Sequence, residues 1–502
     1  MPRHNFPVLS AEEAADLIPN DAFIGFSAFT PAGAAKAVPA ALAERAERMH
    51  AAGEPMRIRL IAGASTGPDI DERLAQAEAI AWRAPYQSSK TLRSQINEQR
   101  TQFVEMHLSH VGQMMHFGFL PPPDIAVVEA VDVTTDGRVF LSTSSGASPS
   151  MLRHASKVIV EVNRQHSKRL AEMHDVVVLP VPPHRSPIPV AHALSKIGTP
   201  FVPIDPNKIL GVVETEAPDG VPPAREPDDL SRSIAGHIVD FLLAELRAGR
   251  IPPDFLPLQA GVGNVANAVM SGLGEAAEVP PFTMYTEVFQ DSQLDLMRSG
   301  KLTGASTSAL TLSDANMKSV YDDMDFFAPR LVIRPTEISN NPGVIRRLGV
   351  IAINTVLEMD IYGCANSTHV CGTQLMNGIG GSGDFVRNAY LSILVAPSIA
   401  KNGAISAVVP MCSHVDHNEH SVQVLVTEHG LADLRGLGPV ERSDAIIDKC
   451  AHPSYRPYLH QYVEQARMGH IRHDLQRVFE LHNNFLEHGS MLPGVEVGAT
   501  SA

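Results

Sequence analysis

The sequence predicts two open, mostly parallel α/β domains. Three observations lead there: a length of 502 residues, β-branched runs that alternate with amphipathic stretches, and one proline-rich break near the middle. A single core rarely grows past about 250 to 300 residues, so this chain needs more than one. Its apolar runs also lack the period-two polarity of a sheet with one wet face, so both faces of each sheet are expected to be covered.

The spacing predicts first-domain strands over 57–62, 125–131, 157–162, 176–181 and 209–213. It predicts helices over 34–49, with a possible kink at Pro39, and over 71–80. Such βα repeats build a parallel sheet with helices on its faces. Pro218, Pro222, Pro223 and Pro227, with Gly220 and several acids, mark 216–229 as the linker and place the domains at 1–225 and 226–502. Ile234, Ile238, Phe241, Leu242 and Leu246 recur at helical spacing just after it. A second series of strands follows over 255–259, 284–288, 330–333, 350–353, 405–409 and 422–427, with helices from Val440 onward.

Forty basic against 55 acidic side chains leave a formal charge of −15, which disfavours a nucleic-acid or anionic-membrane role, since each needs a positive face. Cys364, Cys371, Cys412 and Cys450 form no CxxC pair and are expected to be reduced thiols rather than a disulfide framework or a zinc site. The N-terminal residues lack an apolar h-region and soon meet Glu12, Glu13 and Asp16. No window offers 18 consecutive apolar residues. A soluble, cytoplasmic protein without membrane or nucleic-acid partners is the expectation.

Two glycine loops stand out. Gly378, Gly380 and Gly383 spell GxGxxG, but no β-branched strand precedes them and no acidic ribose partner follows, so a dinucleotide site is disfavoured. Such a density of glycine means either a tight structural turn or a backbone that approaches something closely. Gly261, Val262, Gly263, Asn264 and Val265 lie between a predicted strand and a predicted helix, where α/β proteins hold anions and carbonyl oxygens on exposed N–H groups. A third loop, 62–68, reads equally well as an ordinary βα turn. The cluster His414, Asp416, His417, Glu419 and His420 fits no zinc-hydrolase spacing and reads as an exposed polar loop. Ser382 is no nucleophile elbow, because Asp384 stands where that motif needs glycine. Glu287, at the end of an apolar strand, would face the crevice at the strand's C-terminal edge, although solvated strand-end carboxylates are common.

Taken together, IPPDFLPLQAGVGNVANAVM, MYTEVFQD, EISNNPGVIRRLGVIAINTVLEMDIYG, NSTHV, LMNGIGGSGDF, APSIAKNGAISAVVPMCSHVDH and VTEHGLADLRG, with GFSAFTPAG and WRAPYQSS nearer the N-terminus, resemble the acetyl-CoA hydrolase/transferase family of class I CoA-transferases. The resemblance covers nearly the whole chain and is densest from Ile251 onward. His429 departs from it, where relatives usually carry Gln.

The resemblance implies a CoA-transferase-like fold with the active site in the crevice between the domains. The first domain would supply acid-side loops and the second the nucleophile and CoA-binding loops. Glu287 is implied as the nucleophile, passing through an acyl-glutamyl anhydride to a glutamyl-CoA thioester. The backbone N–H groups of Val262 and Gly381 are implied as oxyanion donors, with Asn340 near Glu287 and Glu428 in a supporting role. Gly261, Val262, Gly263, Asn264, Val265, Asn377, Gly381 and Lys401 are implied contacts of CoA, with Lys401 towards phosphate. No metal and no permanently bound cofactor are implied; coenzyme A enters as acyl-CoA substrate, and small carboxylic acids are its acceptors. Propionyl-CoA with succinate comes first and succinyl-CoA with acetate second. A homodimer is the expectation. Acyl-CoA hydrolysis and a non-catalytic ligand-sensing module are the competing readings.

Overall fold

Both faces of the first sheet are apolar, and each is covered. The structure, a computed structural model, describes residues 5–183 and 185–492, so the first four residues of the N-terminal stretch and the last ten of the chain lie outside the described residues. The chain divides into two compact units: Met1–Ala224 with Phe282–Leu348 and Asn377–Asp384, and Arg225–Pro281 with Gly349–Met376 and Phe385–Ala502. The segment carrying Glu287 thus clusters with the N-terminal residues.

In the first unit the strands Gln102–Phe103, Ile80–Ala84, Ile58–Ile61, Phe23–Phe26, Ile125–Val133, Lys157–Asn163 and Ile209–Thr215 run parallel in that spatial order. Arg138–Leu141 pairs antiparallel with Ile125–Val133 and then with Val202–Pro203. All nine residues of Ile125–Val133 are buried. Alternate residues enter different cores: Ile24, Ile125 and Val127 pack beneath the helix Ala37–Ala51, whereas Phe23, Ala126 and Val128 pack with Met151 and Leu152 on the other face. That is why no polar alternation is visible in the sequence.

Several expectations are corrected locally. Residues 176–181 form no strand; Val176 makes an isolated bridge to Thr199, and Pro180, without an N–H, cannot extend a ladder. Residues 71–80 are not one helix: a turn of π-helix, Pro68–Glu72, leads into Arg73–Gln76, Glu78 turns at positive φ, and Ile80 already belongs to a strand. The reason is tertiary, because Asp71 is drawn into a buried bidentate pair with Arg83 at 2.7 and 3.1 Å. The first long helix starts at Ala37, so Pro39 lies in its first turn, where a missing N–H costs nothing and no kink follows. Glu161 from a neighbouring strand caps that helix, accepting from the N–H groups of Lys36, Ala37 and Val38.

The proline-rich stretch is anchored at Asp219, which is 4% exposed. Asp219 accepts from Lys36 Nζ at 3.0 Å and Thr143 Oγ1 at 2.5 Å. Lys36 Nζ also reaches Glu129 Oε2 at 2.5 Å, and His166 Nε2 lies 3.4 Å from both carboxylates. Burial alone would lower the Lys36 pKa, but the charges of Glu129 and Asp219 outweigh it and raise it; the same acids hold His166 up at about 9.

The first unit also contains the parallel strands Phe282–Tyr285, Leu302–Thr307 and Leu331–Ile333. The strand expected over 284–288 is broken: it stops at Tyr285, and pairing resumes as Val288–Gln290 beside Ala309–Thr311. The second unit pairs Leu258–Ala260, Ile351–Thr355, Leu391–Val395 and Val424–Thr427 in parallel and adds Gly430–Asp433 antiparallel. Residues 405–409 split into two short strands, Ile405–Ser406 and Val408–Val409. Asp229–Arg247, capped by Asp228, is the helix read from Ile234, Ile238 and Leu242. Pro439–Cys450, Arg456–Gln465 and Glu480–His488 complete the unit over one apolar core. Among the described residues no helix is long and apolar enough to cross a membrane, and the four cysteines are free thiols.

Candidate active site around Glu287

Glu287 occupies the two-residue gap between the strand segments Phe282–Tyr285 and Val288–Gln290. Its backbone is held there because its carbonyl accepts from the N–H groups of Ser308 at 2.8 Å and Ala309 at 3.1 Å and from Thr307 Oγ1 at 2.8 Å. Three donors on one carbonyl leave the peptide little freedom, and the side chain leaves the sheet at a defined point. Next to it, Val288 packs with Phe29, Ala64 and Leu108, so this point is set against the N-terminal glycine-rich loops. Those loops follow the adjacent parallel strands Phe23–Phe26 and Ile58–Ile61, the edge at which open α/β sheets hold ligands.

The Glu287 carboxylate is half-buried and meets a placed donor: Asn340 Nδ2 is 2.5 Å from its Oε1. Asn340 is fully buried, and its amide orientation follows from its neighbours. Ser339 Oγ donates to Asn340 Oδ1 at 2.8 Å and is 2.7 Å from Ser308 Oγ, so the amide nitrogen faces Glu287. The same nitrogen lies 3.3 Å from Asp384 Oδ2. Burial pushes the Glu287 carboxyl up to about 7, the Asn340 bond opposes this, and the Asp384 charge adds to it. Burial likewise raises Asp384 to about 6, against the two bonds that it accepts from Ser109.

The glycine loop of 377–384 closes over this carboxylate. Gly378 and Gly380 have φ of +145° and +58°, and side chains there would also crowd Tyr86. At Gly381 a Cβ would fall on the Glu287 carboxylate itself. Both readings left open for this loop apply: Gly378 and Gly380 turn at positive φ, and Gly381 makes the close approach. Asn377 supports the loop from its first position, donating to Tyr86 Oη at 3.0 Å and accepting the Gly378 N–H at 2.8 Å.

The remaining predicted residues belong to the second unit. Gly261, Val262 and Gly263 connect Leu258–Ala260 to the helix Asn264–Glu275, which begins with Asn264 and Val265; Gly263 has φ +122° and Val262 is 57% exposed. Lys401 is exposed, with its ammonium 4.9 Å from the Phe485 ring centre. Glu428 is half-buried; its carboxylate accepts the Ser398 N–H at 2.8 Å and the Ser398 hydroxyl. His429 Nε2 is 3.5 Å from Glu428 Oε1, and burial lowers the His429 pKa against that charge. The polar stretch 414–420 is not an open loop: His417 is buried and bridges Ala365, while Asp416 accepts from the Ser367 N–H and Thr368 Oγ1 at 2.6 and 2.9 Å.

Comparison with known proteins decides the family. The acetyl-CoA hydrolase/transferase N-terminal domain matches residues 3–214, and the C-terminal domain of the same family matches 317–463. The chain belongs to the acetyl-CoA hydrolase/transferase family. Propanoyl-CoA:succinate CoA transferase of Escherichia coli is 55% identical over 96% of this chain and 98% of that protein. Succinyl-CoA:acetate CoA-transferase of Clostridium kluyveri is 44% identical over 96% of this chain and 90% of its own length. The crystal structure of RipA from Yersinia pestis superimposes with a TM-score of 0.70 at 22% identity, over 91% of this chain and 97% of that one, which is a likeness of fold.

Asp384, Ser109 and Ser339 were missed from sequence. Asp384 carried a signal, since it stands in the same glycine motif as Gly381, and so did Ser339, which adjoins Asn340; Ser109 carries none, because its only link to Glu287 is three-dimensional.

Proposed function

We propose that this member of the family is a CoA-transferase that moves CoA between small carboxylic acids, with propionyl-CoA and succinate as the first pair and succinyl-CoA and acetate as the second. The observation that carries the reading is a half-buried carboxylate, Glu287, held by one amide donor at 2.5 Å beneath a glycine that leaves no space for a side chain. A carboxylate is a weak nucleophile in water, and removing water and aligning it is worth up to about 7–11 kcal/mol.

In this reading a Glu287 oxygen attacks the thioester carbonyl, the C–S bond breaks, and CoA leaves as thiolate. The thiolate then attacks the glutamyl carbonyl of the anhydride and expels the donor acid as a carboxylate, leaving a glutamyl-CoA thioester. The acceptor carboxylate repeats the two steps in reverse, so thioester energy is conserved and no proton is consumed. Each attack builds an oxyanion, and the N–H groups of Val262 and Gly381 are the proposed donors. Asn340 steadies Glu287, Glu428 has a supporting role in the active site, and Gly261, Val262, Gly263, Asn264, Val265, Asn377, Gly381 and Lys401 contact CoA.

Hydrolysis is the second reading, favoured by the family's own description, which covers hydrolases as well as transferases. One assay separates them. Propionyl-CoA is incubated with and without succinate while succinyl-CoA and free CoA are followed separately. Fast succinyl-CoA formation with little free CoA supports transfer; equal release of free CoA with or without succinate overturns it in favour of hydrolysis.

A further inference from the structure

We infer that Asp384, clamped by Ser109, is a positioning residue that aligns Asn340 on Glu287 and places a second negative charge beside the nucleophile. The inference rests on Glu287 being that nucleophile. Asp384 is 3% exposed, and its two oxygens accept the Ser109 N–H at 3.0 Å and the Ser109 hydroxyl at 2.6 Å. Its Oδ2 also lies 3.3 Å from Asn340 Nδ2. A primary amide has two N–H bonds, so one points at Asp384 while the other points at Glu287 Oε1. With Ser339 on its oxygen, the Asn340 amide is held from three sides and cannot flip without losing all three partners.

The second consequence is electrostatic. A buried carboxylate near another destabilises the ionised form of its neighbour. Acylation of Glu287 removes that neighbour's charge, so the repulsion is present in the free nucleophile and relieved in the anhydride. Asp384 therefore raises the reactivity of Glu287 without touching substrate. The other titratable groups around this pair are His107 and His110 on the segment that carries Ser109, Glu105, which accepts the Ile379 N–H, and Tyr86 beside the glycine loop. His110 faces Asp384 with a pKa lowered mainly by burial, so it does not neutralise Asp384 near pH 7.

The test compares Asp384→Asn, Ser109→Ala and Glu287→Ala in the full chain by steady-state CoA transfer across pH, with thermal melting alongside. Glu287→Ala must abolish turnover; if it does not, the nucleophile assignment fails, and this inference with it. Given that loss, Asp384→Asn is expected to lower kcat at least tenfold with KM within about twofold, and to move the acid limb of kcat/KM down by about half a unit to one unit. A kcat and an acid limb both unchanged from the parent overturn the inference. Ser109→Ala, which leaves the charge in place but loosens it, is expected to lower kcat by less and to keep the limb where it is. Should Asp384→Asn not accumulate in folded form, Ser109→Ala decides: a kcat loss with a fixed limb supports the role, and parent-like kcat overturns it.

Discussion

The Glu287 carboxylate stands where a Cβ of residue 381 would have to be, so Gly381 is required by contact rather than by backbone conformation. Gly381→Ala must displace either the loop or the nucleophile. Its kcat is expected to fall by about 10²-fold or more, since both the proposed oxyanion donor and the alignment of Glu287 are disturbed. Steady-state kinetics with a thermal melt check this; wild-type kcat in a normally folded variant would refute it.

The pH profile follows from burial of the same carboxylate. In the proposed mechanism only ionised Glu287 attacks, and burial pushes its pKa up to about 7, so kcat/KM should rise with pH along an acid limb near that value. A limb near the ordinary value of 4.5 would show that burial does not control it.

The same shift acts on stability with a definite sign. The folded chain keeps the Glu287 proton up to about 7, whereas the unfolded chain releases it near 4.5, so this contribution is full below 4.5 and is lost as pH rises through 7. Glu287→Gln should therefore be stabilised relative to the parent by about 1–3 kcal/mol more at pH 8 than at pH 5. Urea unfolding at the two pH values measures the difference.

Asn340→Ala removes the donor on Glu287 Oε1. A loss of about 10²–10³ in kcat is expected. The acid limb should move upward, opposite to the Asp384 variant, because the lost bond is the one that lowers the Glu287 pKa.

His429 lies 3.5 Å from Glu428 with its pKa held down by burial. It is thus neutral near pH 7 and contributes little charge to Glu428. His429→Gln should change kcat by less than about fivefold, in line with the small worth of a partly exposed pair.

Lys36 answers two buried carboxylates, Glu129 and Asp219. Lys36→Met removes the ammonium from both, leaving the His166 imidazolium beside them, and is expected to destabilise the fold by about 3–5 kcal/mol, read by urea unfolding.

The glycine loops and the α/β class were legible in the sequence because they depend on local chemistry, whereas Glu287 was singled out as nucleophile only through the family resemblance. Backbone that must turn at positive φ or admit a close neighbour calls for glycine, and strands buried on both faces call for unbroken β-branched runs. The strands Phe23–Phe26, Ile80–Ala84 and Leu391–Val395 escaped notice because they are only four or five residues long, too short for a period to show.

What the sequence determined by itself is the family and the α/β architecture, and through the family it pointed to Glu287. Tertiary structure decided what surrounds that carboxylate. The strand break that exposes Glu287 arises from donors at Thr307, Ser308 and Ala309, and the orientation of Asn340 arises from Ser339 and Asp384. Apart from Ser339, which adjoins Asn340, these partners come from other segments of the chain, and hydrogen-bond geometry and burial, which set the reactivity of a carboxylate, exist only once such segments are brought within about 3 Å.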